Sequence, residues 1–75
     1  MSQPKNLEAM KMVGDNVKRL RLAKGLTQEA LANASGVDWS TISRLENGNL
    51  NTGITVLFAL AKAMNVLPSR LLDIS

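Results

Sequence analysis

Apolar positions recur along most of this chain at helical spacing. Leu7, Met10, Val13, Val17 and Leu20 form a first stripe that continues to Lys24. Asn6 would cap a helix beginning at Leu7, whereas Gly14 followed by Asp15 offers a later start with Asp15 as cap; the pattern leaves that choice open. The end is clearer, because Lys24 suits a negative helix terminus and Gly25 suits the turn after it. Thr27 is placed to cap a second helix over about Gln28 to Ala34, with Ala30 where a capping box would need Glu or Gln. Gly36 supplies a positive φ at the next turn, Val37 tucks back toward the core, and Asp38 is placed to cap a third helix over about Trp39 to Glu46. Asn47-Gly48 ends that helix and opens a polar loop to Gly53. Ile54, Leu57, Phe58, Leu60, Ala61 and Met64 mark a strongly apolar fourth helix with Asn65 at its stop. Pro68 then fits the first position of a short fifth helix running to about Leu72.

The pattern predicts an all-α, compact five-helix bundle without strands. Pro4 and the scarcity of apolar residues predict a flexible N-terminal arm over residues 1–6, leaving 7–75 as one domain. Within that domain the stretch from Thr27 to Gly48 reads TQEALANASGVDWSTISRLENG: two short helices around a glycine turn. Leu31, Val37, Ile42 and Leu45 fall on inward positions, and Ala32 is small enough to let one helix cross closely over the next.

The residues Gln28-Glu29-Ala30-Leu31-Ala32, Gly36-Val37 and Ser40 to Gly48 resemble the phage-repressor (Cro/CI, XRE) helix-turn-helix family, and the similarity extends more weakly over about residues 13–72. The resemblance implies a lambda-repressor-like DNA-binding domain whose third helix enters the major groove while the second crosses the backbone. Ile42 and Leu45 spend one face of the third helix on the core, which leaves Trp39, Ser40, Ser43 and Arg44 on the other. The family's base-reading sites fall on Trp39, Ser40 and Arg44, with Ser43 beside them. Arg44 is the best placed for direct readout, since its planar fork can donate two hydrogen bonds to guanine. Trp39 stands where the family is usually polar; it would touch a thymine methyl or pack on a sugar, or else fold back onto the turn or cover a neighbouring hydrophobe. The resemblance also puts phosphate contacts on Thr27, Gln28, Thr41 and Asn47, and a structural ion pair on Arg21 and Glu46.

Composition narrows the alternatives. There is no Cys and no His in the 75 residues, so disulfides are excluded and the usual zinc ligands are missing. Six scattered acids offer no catalytic constellation, and the glycines match neither GxGxxG nor a P-loop, so no enzyme activity and no cofactor are expected. An apolar share of 45% with one Trp, one Phe and no Tyr suits packed aliphatic helices. No apolar run approaches a membrane span and no cleavable leader is visible, which predicts a soluble, cytoplasmic protein. The net charge of +3 is modest, but its distribution is uneven: residues 1–26 carry six basic and two acidic side chains. That bias favours an anionic partner such as double-stranded DNA.

The functional expectation is a sequence-specific transcriptional regulator, a homodimeric repressor or controller reading an inverted repeat. Phe58, Met64, Leu67, Leu71, Leu72 and Ile74 are candidates for the dimer seam or for the monomer's own core, and Met10 and Met12 for either. The alternative is an antitoxin or adaptor that uses the same fold to bind a protein partner.

Overall fold

The computed structural model describes residues 6–73, so most of the expected N-terminal arm lies outside the described residues. Among the described residues there are four α-helices: α1 (Leu7–Ala23), α2 (Gln28–Ser35), α3 (Trp39–Glu46) and α4 (Ile54–Met64). The expected fifth α-helix is instead a 3-10 helix, Pro68–Leu72, which corrects the five-helix reading. Its five residues are too few to establish an α-helical ladder, Pro68 contributes no N–H, and Asp73 is already extended. The bond that closes it, Arg70 N to Leu67 O at 2.9 Å, has the tighter i→i+3 span.

The ambiguity at the start of α1 resolves toward Asn6, whose side-chain oxygen accepts from the Ala9 N–H at 3.0 Å. Gly14 lies mid-helix and is buried. Thr27 caps α2 by accepting from the Ala30 N–H at 3.0 Å. Asp38 occupies the N-cap position of α3 but accepts no capping hydrogen bond, so its expected role reduces to a favourable charge at the helix N-terminus. Helices α1, α3 and α4 end alike: the residue in left-handed conformation is Gly25, Gly48 or Asn65. In each case the next amide, of Leu26, Asn49 or Val66, bonds a carbonyl five residues back.

The core comprises Val13, Val17, Leu20, Leu31, Ile42, Leu45, Leu60, Ala61, Met64 and Leu71, with Leu26, Ala32, Val37 and Leu50 packed against it. Helix α1 packs on α3 and on the C-terminal 3-10 helix, while α2 packs on α3 and α4. Asn16 is buried among these apolar side chains and fully used. Its amide donates to the carbonyls of Leu71 and Asp73, both at 2.9 Å, and its oxygen accepts from Arg19 at 3.0 Å. Among the described residues no buried side-chain nitrogen or oxygen lacks a partner. No helix among them is long and apolar enough to cross a membrane.

Candidate nucleic-acid interface

Eight residues give α3 about two turns, and those two turns divide sharply. Ile42 and Leu45 are sealed in the core at 0% and 1% exposure. Trp39, Ser40 and Arg44 are exposed, with Ser43 and Thr41 half-buried. Trp39 is 55% exposed and lines a shallow cleft with Gly36 and Val37 of the α2–α3 turn. Both Ser40 and Arg44 are open to an approaching partner.

The turn that sets the angle between α2 and α3 is built from three short contacts. Gly36 caps α2 at φ 76°, its amide bonding the Ala32 carbonyl at 2.9 Å. The Ser35 hydroxyl then accepts from the Val37 N–H at 3.1 Å. Val37 is half-buried against the core, so the turn is held from within.

From behind, α3 is fixed by α1 in two ways. The first is a close backbone crossing: a Cβ on Gly14 would collide with the Leu45 carbonyl oxygen. Only a glycine lets α1 come this near. The second is polar. Arg21 donates through Nε to Glu46 Oε2 at 2.7 Å and through Nη2 to Glu46 Oε1 at 2.9 Å, with both residues buried. Its Nη1 donates to the Leu26 carbonyl at 2.8 Å, tying in the α1–α2 loop. The Glu46 hydrogen bonds hold Arg21 above its already high pKa against the opposing effect of burial, and charge attraction adds to them. The guanidinium is therefore a permanent cation, and Glu46 is its counter-ion.

Gln28 enters the same cluster, because its side-chain amide donates to Glu46 Oε1 at 3.0 Å. The first residue of α2 and the last of α3 are thereby joined through one carboxylate. Thr27 and Asn47 are exposed at the start of α2 and the end of α3, whereas Gln28 and Thr41 are half-buried. Neither the Gln28 to Glu46 bond nor the close approach at Gly14 is expected from the sequence pattern. A glycine interrupting an otherwise good helical stripe is the one signal that pointed to the second.

The residues offered for a dimer seam separate into two groups. Met64 and Leu71 are buried at 1% and 0%, so they belong to this chain's own core. Phe58, Leu67 and Leu72 are 54%, 71% and 55% exposed, as is Ile54, one helical turn before Phe58, at 68%. Met10 and Met12 are half-buried, and Ile74 lies outside the described residues.

The sequence matches a helix-turn-helix family model over residues 17–71. It is 42% identical over 60 residues to an uncharacterized HTH-type transcriptional regulator of Sinorhizobium fredii, a match spanning 80% of this chain and 78% of the relative. It is 45% identical over 53 residues to a competence pilus inhibition repressor of Acinetobacter baylyi, covering 71% of this chain and 48% of that protein. The fold is similar to that of the restriction-modification controller protein C.AhdI of Aeromonas hydrophila, with a TM-score of 0.80 and 37% identity over 83% of this chain and 94% of the controller.

Proposed function

The chain belongs to the helix-turn-helix family and is a DNA-binding transcriptional regulator, and we propose that it acts as a homodimer reading an inverted-repeat operator with α3 of each subunit in the major groove. The observation that carries this reading is the division of α3, with Ile42 and Leu45 buried behind Ser40 and Arg44 that stand free. Arg44 reads a guanine through its fork, Ser40 and Ser43 donate or accept at neighbouring base edges, and Trp39 lies beside them. Thr27, Gln28, Thr41 and Asn47 fix the register on phosphates, where short polar side chains and helix-end amides suffice. Arg21 and Glu46 contribute by holding α3 in place and not by touching DNA.

Two subunits pair through the apolar side chains left exposed on α4 and the C-terminal segment, Phe58, Leu67 and Leu72, in a self-complementary contact. Occupancy of the operator in the cytoplasm then occludes or recruits polymerase. Selection of bound duplexes from random DNA, at two salt concentrations, tests the reading. The expected product is a palindrome whose half-sites lie about one helical turn apart, with affinity falling as salt rises. Enrichment of a single half-site would remove the dimer from the account. No enrichment, together with stoichiometric capture of one specific protein, would favour the adaptor instead.

A further inference from the structure

The largest apolar side chain of the interface is more than half exposed. Trp39 is the first residue of α3 and remains 55% accessible although the core positions of that helix, Ile42 and Leu45, are filled. Resting on the reading that α3 enters the major groove, we propose that Trp39 senses the C5-methyl group of a pyrimidine, carried by thymine or by 5-methylcytosine. N-terminal residues of a recognition helix are the ones that reach base edges. An indole brings one N–H donor and two broad carbon faces to that edge, and the prominent apolar feature there is the C5-methyl. Both bases present it at the same place on the ring.

The rival partner for an exposed indole is the sugar–phosphate chain, and the surroundings of Trp39 disfavour it. Trp39 shares a shallow cleft with Glu29, Val37 and Asp38. Glu29 and Asp38 are both exposed carboxylates, and Asp38 is not engaged in capping α3. Two negative charges beside the indole repel the backbone phosphates and leave the base edge as the surface it can approach. Ser40 and Arg44, exposed further along the helix, read polar atoms of the neighbouring base edges.

The experiment starts from an operator selected out of random DNA. Each thymine is replaced in turn by deoxyuridine, and each cytosine by 5-methylcytosine, and binding to the full-length protein and to Trp39→Ala is titrated. One position per half-site is expected to respond, with the methylated base bound about threefold to tenfold more tightly by the wild type. A thymine response identifies the first source and a cytosine response the second. Trp39→Ala, whose thermal midpoint should match the wild type because the side chain is exposed, is expected to bind both forms equally. If no position distinguishes the methyl, or if Trp39→Ala still does, the inference is overturned while operator reading stands. If no duplex is bound specifically, the proposed function falls and takes the inference with it.

Discussion

Helix α3 and the C-terminal end of the molecule are both packed against α1, and they are held by different physics. Behind α3, α1 comes so near that the Gly14 position has no room for a Cβ, and a buried Arg21–Glu46 pair locks the two helices at one register. At the other end, Leu60, Met64 and Leu71 fill the core with flexible side chains, and the segment leaving the 3-10 helix is tied by Asn16 and by an exposed Arg70–Asp73 ion pair at 3.2 Å. The first contact is specified by geometry and charge, the second mainly by apolar area. The proposed base-reading side chains, Ser40 and Arg44, lie on the geometrically fixed end. The area-packed end carries the exposed Phe58, Leu67 and Leu72.

The largest effect should come from the ion pair. Glu46→Ala leaves the buried Arg21 without its counter-ion and Gln28 without its acceptor, and is expected to cost about 3 to 5 kcal/mol in urea unfolding. A loss below about 1 kcal/mol would show that charge does not hold α3. Gly14→Ala should follow, at about 1 to 3 kcal/mol or more, because the atom in the way is a backbone carbonyl that cannot rotate aside. Its DNA affinity should fall for cognate and scrambled duplexes alike once the folded fraction is corrected, since the whole of α3 is displaced.

Asn16→Ala tests the polar pin of the opposite end. The carbonyls of Leu71 and Asp73 lose their buried donor, for a cost of about 1 to 3 kcal/mol with DNA binding unchanged at temperatures where the protein is folded. Arg44→Ala should separate reading from folding: about 1 to 3 kcal/mol lost on the selected operator, one base position relaxed, and stability within about 0.5 kcal/mol of wild type. Equal losses on every sequence would reassign Arg44 to phosphate. The smallest effect belongs to Met64→Leu, a volume-conserving exchange in the area-packed core that should cost less than about 1.5 kcal/mol. If it equalled Gly14→Ala, the contrast between the two ends would disappear.

Much of this architecture was legible in the order of side chains. The 3.6-residue stripe placed α1 to α4, Gly25, Gly36, Gly48 and Asn65 marked where each stops, and Thr27 marked where α2 begins. The same periodicity placed Ile42 and Leu45 opposite Ser40 and Arg44, which is the division visible in the exposures. Local rules failed where an element was too short for them to dominate. The segment from Pro68 to Leu72 carries the residues of a helix start but lacks the length of one, and Asp38 has the chemistry of a cap without forming the bond.

Contacts between distant residues were beyond any local rule. Arg21 and Glu46 came together in advance only through a family resemblance, and nothing in the sequence drew Gln28 to the same carboxylate. Periodicity identified Met64, Leu71, Phe58 and Leu67 as apolar but could not say which of them this chain buries for itself, because burial depends on what the opposing helices supply. The sequence by itself determined where α1 to α4 end and which side of each is apolar, since those properties depend on neighbours within a few residues. Tertiary structure alone decided that Gly14 is a crossing point and that Glu46 joins three elements, because a backbone approach or a shared carboxylate exists only once separate helices have met.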